Sequence, residues 1–217
     1  MMTYPKINKI WKRDPNNKNQ IIEGDYTCPE FDAVKKWSVT EKVDGCCIRV
    51  CYEFQVDGTF PVVLFGGKTD NAQIPAKLAN YLKDKFTVEL FKQTFPDANE
   101  VMLFGEGYGG YIQSAGKNYI PEPSFILFDV YLDGYWLERP NVEDVAKKLG
   151  IECVPSFGIM TTEEAIGFLK KIQFSLVARK NSVETPIEGI VARSEPLMLF
   201  RKNKTPIMWK LKVRDYV

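Results

Sequence analysis

The chain has no histidine among its 217 residues. That removes imidazole as a nucleophile, as a general base and as a metal ligand. A metal site built here must draw on carboxylate and carbonyl oxygens, a donor set that favours Mg²⁺ or Mn²⁺ over Zn²⁺. Net charge is almost lacking too, since 29 lysines and arginines stand against 28 acids and leave +1. There is no global basic field, so contact with nucleic acid must come from a local patch. Cysteines are few and odd in number, at Cys28, Cys46, Cys47, Cys51 and Cys153, with no Cys-x-x-Cys pair for zinc or redox work. They read as the reduced, buried thiols of a cytoplasmic protein. No apolar run approaches the length of a membrane span, and residues 1–6 carry no apolar signal region. Repeats, low-complexity segments and linkers are missing as well. What remains is one α+β domain over residues 1–217.

What is there is a series of short apolar runs, several of which end on polar or glycine-rich residues. Strands are expected at 38–42 and 46–54, flanking Thr40-Glu41-Lys42-Val43-Asp44-Gly45. Taken alone, Asp-Gly marks a solvated hairpin turn. On the second strand Cys47, Arg49 and Cys51 share one face, and Ile48 and Val50 the other. Residues 61–65 form a short strand running into Gly66-Gly67-Lys68-Thr69-Asp70-Asn71, a loop suited to close approach by a ligand or to a plain hairpin exit. Apolar residues at three- and four-residue steps predict helix over 74–95, with a break near Thr87.

The strand at 101–104 ends in Gly105-Glu106-Gly107-Tyr108-Gly109-Gly110. A lone carboxylate among four glycines could meet a ligand against bare backbone; a glycine-rich turn is the plain alternative. Residues 124–132 form an apolar strand interrupted by Asp129, whose buried carboxylate needs a partner or a task. Asn141 is expected to cap a helix that Gly150 ends, and Thr161 or Thr162 to cap another. A strand at 186–193 carries Glu188 near its start. In the last strand Trp209, Leu211 and Val213 face one way, and Lys210, Lys212 and Arg214 the other. Three cations on one face repel each other unless an anion sits among them. Taken singly, the strand reads as a solvated edge guarded by lysine.

In order, Lys42 in Lys-x-Asp-Gly, Glu106, Phe128-Asp129, Glu188-Gly189 and Lys210-x-Lys212 resemble the five successive motifs of the covalent nucleotidyltransferases. That superfamily holds the ATP-dependent polynucleotide ligases and the mRNA capping enzymes. In detail the chain is most similar to RNA ligases, especially small ones of phage type. The stretches that carry this are Phe-Gly-Gly-Lys-Thr-Asp-Asn-Ala-Gln-Ile-Pro (65–75), Phe-Gly-Glu-Gly-Tyr-Gly (104–109), Glu-Gly-Ile-Val-Ala-Arg (188–193) and Trp-Lys-Leu-Lys (209–212).

The resemblance implies a nucleotidyltransferase (adenylation) domain of mostly antiparallel sheets flanked by helices. It implies that Lys42 attacks the α-phosphate of ATP to give lysyl-AMP, that AMP passes to a 5′-phosphate of RNA, and that a 3′-hydroxyl then displaces it. Lys210 and Lys212 would be catalytic, holding phosphate oxygens and disfavouring a further positive charge beside them. By the same resemblance the Glu41 backbone reads the adenine edge, Phe128 stacks on adenine and Glu106 contacts the ribose. Asp44 and Glu188 are the carboxylates for Mg²⁺ or Mn²⁺.

Two positions depart from the family pattern. Cys47 stands where many relatives carry Arg or Asn, with Arg49 on the same strand face as its expected stand-in. Lys68 stands where Arg is frequent, and a lysine cannot grip phosphate through two parallel bonds. Both departures bear on strand sealing more than on self-adenylylation. A DNA ligase of the same mechanism, a capping guanylyltransferase and a ligase-like binding module are the other readings. The chain stops five residues past Lys212, so no oligonucleotide-binding (OB) domain is expected after it. The nucleic-acid end would then rest on Arg49, Lys68, Lys117, Lys202 and Lys204, with a partner protein or domain supplying any larger clamp.

Overall fold

The computed structural model describes residues 1–17, 20–54, 60–113, 116–180 and 183–215. In chain order its first strands are β1 (Asn8–Lys9), β2 (Trp11–Asp14), β3 (Gln20–Tyr26), β4 (Trp37–Lys42), β5 (Cys46–Phe54) and β6 (Pro61–Gly66). Then come β7 (Glu100–Tyr108), β8 (Ser124–Leu132), β9 (Tyr135–Trp136), β10 (Glu152–Cys153), β11 (Ser156–Met160), β12 (Gly189–Ser194) and β13 (Met208–Lys212). The α-helices are α1 (Glu30–Ala33), α2 (Ala76–Lys85), α3 (Val88–Thr94), α4 (Arg139–Leu149), α5 (Thr162–Lys171) and α6 (Leu176–Arg179). The architecture is α+β, with mostly antiparallel sheets flanked by helices.

Where the sequence suggests one domain, contacts divide the chain into two units. A central unit holds Met1–Tyr4 and Asp44–Val154, and a flanking unit holds Pro5–Val43 and Pro155–Val217. The flanking unit is assembled from two separate stretches of chain. No linker or shift in composition therefore marks its bounds in the sequence.

In the central unit the strand order is β10-β8-β7-β5-β6, with β9 paired to β8. Period two sends Ile48, Val50, Tyr52, Val101, Leu103, Phe125 and Leu127 to one face, against Leu78, Leu82, Phe91, Val142 and Leu149 of the helices. Burying each such side chain contributes about 1.5–3 kcal/mol. The expected break falls at Thr87, whose hydroxyl accepts the Leu90 N–H and so starts α3. Helix α4 begins three residues earlier than a cap at Asn141 suggests. Glu138 holds the cap position and Pro140 sits in the first turn, where its missing N–H costs nothing. Gly150 ends α4 in the left-handed conformation, as expected. Strand β7 runs on through Gly105, Glu106 and Gly107 instead of turning there. A side chain at Gly105 would collide with the Phe125 ring, so this glycine serves close packing and not a bend.

In the flanking unit the strand order is β1-β13-β12-β4-β11, antiparallel except where β1 joins β13. Trp37, Val39, Ile190, Ala192, Trp209 and Leu211 turn to one face and form the core with Ile10, Phe31, Ala165 and Leu169. Thr161 caps α5 in a reciprocal arrangement with Glu164. Strand β13 lies between β1 and β12, and Lys210, level with Lys9, does not guard an edge. Strands β4 and β5 join different sheets, so Lys42-Val43-Asp44-Gly45 is not the hairpin turn that Asp-Gly alone suggests. No helix of the described residues is long and apolar enough to cross a membrane.

Candidate active site

The flanking unit brings three of the expected residues together. In the sheet register Gly189 lies opposite Lys42 on β4 and opposite Lys212 on β13. Residues opposite each other in antiparallel strands project to the same face, so both lysines rise on either side of a residue with no side chain. Built onto Gly189, a Cβ would fall 2.8 Å from the Lys212 Cα. Glycine here is what lets the strands close up. Glu188 fills the space above. Its Oε2 accepts from Lys42 Nζ at 2.5 Å, its Oε1 accepts from Lys212 Nζ, and its backbone carbonyl accepts the Val213 N–H at 3.1 Å. The three side chains are only 17–20% exposed, which removes much of the solvent screening. The anion that the lysine row called for is therefore in the chain itself.

Lys210 projects to the same sheet face as Lys212, and β1 sets Lys9 level with it. Asp215, absent from the expected set, lies just beyond. Its carboxylate accepts from Lys9 Nζ at 2.9 Å, from Arg13, and from the Lys212 N–H at 3.1 Å. Burial pushes the Asp215 carboxyl up, but these donors and the Lys9 and Arg13 charges outweigh it and hold the group below its ordinary 3.8.

Glu41 turns the other way, into the protein, and does not meet Lys42's side chain. Its carboxylate accepts from the Ser175 hydroxyl and from the Leu176 N–H at 2.9 Å. Burial pushes its pKa up against those bonds. The Glu41 N–H, part of the backbone expected at the adenine edge, donates to the Pro155 carbonyl at 2.9 Å.

The central unit carries the other expected residues on the sheet face away from its helices. Cys47 lies directly opposite Glu106. Burial and then the Glu106 charge push the Cys47 thiol up to about 12, against the pull of Arg49 and Lys68. Arg49 is 1% exposed and is held inside the unit. Its guanidinium donates to the carbonyls of Gly67 at 2.6 Å, Met1 at 3.4 Å and Met2 at 3.2 Å, and to Asp70 at 2.9 Å. Those bonds engage the arginine that was expected to stand in at Cys47.

Phe128 is the extra residue of a bulge in β8, which turns it to the same side as Phe104. Tyr4 packs edge-on against it, with centroids 4.9 Å apart, and also against Phe104. The Tyr4 hydroxyl and the Val130 N–H each donate to Asp129 at 3.1 Å, which gives the buried carboxylate partners of the kind it required. Asp44 is half-buried, and its N–H donates to the Tyr119 hydroxyl at 3.3 Å. Lys68 and Lys117 are exposed in this unit, as Lys202 and Lys204 are in the flanking one.

A family model described as RNA ligase matches residues 35–212. The chain belongs to the RNA ligase family. No curated protein sequence matches it. Among solved structures, the Naegleria gruberi RNA ligase with PPi superposes with a TM-score of 0.65 at 18% identity, covering 99% of this chain and 57% of that one. A lysine-to-alanine mutant of the Naegleria gruberi enzyme with ATP and Mn gives 0.63 at 18% identity, covering 99% and 61%. A lysine-to-methionine mutant with AMP and Mn gives 0.62 at 19%, covering 98% and 62%. At this identity the likeness is one of fold, and this RNA ligase family chain spans about three fifths of the length of those chains.

The donors beside Lys42 fit a hard divalent cation. Glu188 offers carboxylate oxygens, and neither nitrogen of the cluster is an acceptor. Each oxygen accepts from one ammonium group and keeps a further lone pair, so a cation could share the carboxylate once incoming phosphates offset the lysine charges. One group of metal-ligating side chains lies ready among the described residues: Cys51, Glu53 and Glu100, with ligand atoms within 4.8 Å of one another. It includes neither Asp44 nor Glu188.

Proposed function

We propose that this RNA ligase family member is an ATP-dependent RNA ligase acting through a covalent AMP on Lys42. The observation that carries this is the Glu188 carboxylate bridging Lys42 and Lys212 over Gly189. It presents a lysine amine beside a proton acceptor and a second cation, which is what phosphoryl transfer to nitrogen requires. That the Naegleria gruberi RNA ligase, which is similar in fold, has been solved with ATP, AMP and Mn supports the same nucleotide and metal for this chain.

In the first step Lys42 Nζ attacks the α-phosphorus of ATP. The N–P bond forms and the bond to the bridging oxygen breaks, with its electrons leaving on diphosphate. Two protons depart the ammonium in all, one before attack and one after. Glu188 Oε2, at 2.5 Å, accepts the first and passes it on to solvent, so that the carboxylate is ionised again, and the second leaves on the diphosphate. Incoming phosphates take over Lys212 and Lys210, which then neutralise charge that builds in the transition state. Glu188, released from Lys212, would hold Mg²⁺ or Mn²⁺, which when bound supplies further charge neutralisation at the phosphates. AMP then passes to an RNA 5′-phosphate, and a 3′-hydroxyl displaces it to seal the strand.

The test uses matched nicked duplexes that differ only in RNA or DNA on each side of the nick. The reading expects ATP-dependent joining of RNA ends, and none with Lys42→Ala. Better joining of all-DNA nicks favours a DNA ligase. Absence of both joining and protein-bound AMP leaves a nucleotide-binding module and overturns the reading.

A further inference from the structure

The flanking unit holds a second cationic group outside the five motifs. Lys9 comes from β1, Arg13 from β2, and both bond the same oxygen of Asp215. That carboxylate is 2% exposed, whereas Lys9 is 34% and Arg13 29% exposed. The acid is inside, and the side chains of both cations are partly exposed. Counted together, Lys9, Arg13 and Asp215 carry +1, set against the strand that bears Lys210 and Lys212. Because Asp215 is held ionised, the +1 is stable across the neutral range.

Their position follows from the sheet. Strand order across this face is β4, β12, β13, β1, which places Lys42 first, Lys212 and Lys210 next and Lys9 last. Strands are about 4.8 Å apart, so the row covers roughly 14 Å between the outer backbones. In an in-line displacement the leaving group lies on the far side of the α-phosphorus from the attacking nitrogen. With Lys42 attacking from β4, a diphosphate that leaves along the row would meet Lys212, Lys210 and then Lys9.

We propose that Lys9 and Arg13 form a subsite for the β- and γ-phosphates of ATP, and for the diphosphate they become, with Asp215 as the internal counter-ion that holds both cations until the anion arrives. This rests on the reading of Lys42 as the nucleophile. The subsite deepens that reading by assigning the leaving group to residues outside the motifs. A purely structural alternative is that Lys9 and Arg13 only brace the turn after β13 through Asp215.

The two differ in what the variants do to diphosphate. Protein-bound AMP is prepared with ATP, freed of nucleotide, and discharged by a series of inorganic diphosphate concentrations, with re-formed ATP as the readout. Wild type, Lys9→Ala, Lys9→Arg, Arg13→Ala and Asp215→Asn are compared, with melting temperature measured for each. The subsite predicts a half-saturating diphosphate concentration raised about tenfold or more in Lys9→Ala and Arg13→Ala. Lys9→Arg should recover most of it. Asp215→Asn should hold or lower it, because both cations remain and their internal competitor is gone, even as the melting temperature falls. Bracing alone predicts that Lys9→Ala and Asp215→Asn lower the melting temperature together and leave half-saturation at the wild-type value; that result overturns the proposal. If wild type forms no protein-bound AMP, the nucleophile reading fails and the subsite with it. If AMP forms and Lys9→Ala discharges like wild type, the subsite alone is wrong.

Discussion

Glu188→Gln is the most informative single change in the flanking unit. It keeps the shape of the side chain and one acceptor oxygen, but it takes away the charge that faces two ammonium groups. Lys42, Lys212 and Glu188 together carry +1, and the variant would carry +2 on side chains only 17–20% exposed. Exposed ion pairs are worth about 0.2–1 kcal/mol, and breaking a fully buried one costs about 3–5 kcal/mol. These pairs lie between, so a loss of about 1–3 kcal/mol is expected. For a chain of this size each kcal/mol lowers the melting temperature by about 2–4 °C, which gives a fall of roughly 2–12 °C.

The effect of Glu188→Gln on chemistry should be larger. Removing a preorganised electrostatic group from a reacting centre typically slows the step by about 10²–10³-fold. The assay is the rate of label transfer from α-labelled ATP to protein at saturating ATP and Mn²⁺, followed alongside thermal unfolding. A variant that melts lower but labels at the wild-type rate would show that Glu188 only holds the lysines apart. A variant with unchanged melting would show that the bridge adds nothing to the fold.

Arg49→Met should lose about 2–4 kcal/mol of stability, read by denaturant unfolding, because the buried Gly67 carbonyl and the Met1 and Met2 carbonyls lose their donor; normal stability with a raised KM for ATP would instead mark Arg49 as a nucleotide contact. Gly189→Ala should cut adenylylation more than tenfold, since the added methyl meets the Lys212 backbone and spreads β12 from β13; labelling near wild type would refute that packing argument. The Cys46 and Cys47 thiols are pushed up to about 11 and about 12 from an ordinary 9.0, by burial first and then by Glu106. Raised folded values mean that their contribution is complete below pH 9 and is lost as pH climbs toward 12, because the unfolded chain releases these protons first. Unfolding followed between pH 8 and 11 should show that decline, and a Cys46→Ala, Cys47→Ala double variant should flatten it; an equal slope in the variant would assign the decline elsewhere.

The strands and the order of the motif residues were legible because both depend on local pattern. Period two separates Trp209 and Leu211 from Lys210 and Lys212, and the structure keeps that separation. The three-residue bridge was legible only as separate parts. Nothing near Lys42 in sequence points to Glu188, and the strand pairing of β12 with β4 makes them neighbours. Glycine was misread at Gly105, where the signal for a turn and the signal for close packing are the same residue. Arg49 carried no mark of its burial, since the carbonyls it serves come from the start of the chain and from Gly67. Lys9, Arg13 and Asp215 were invisible for a similar reason: a parallel two-residue pairing of β1 with β13 brings them together across some 200 positions, and no local pattern encodes it.

The most direct test of the central claim is the location of the nucleotide on the chain. The protein is incubated with ATP and Mn²⁺, denatured, weighed intact and digested for peptide mapping. The account predicts one AMP per chain, attached at Lys42, lost on adding diphosphate and absent from Lys42→Ala. An AMP mapped to another residue, or a Lys42→Ala protein that still gains one, would contradict it.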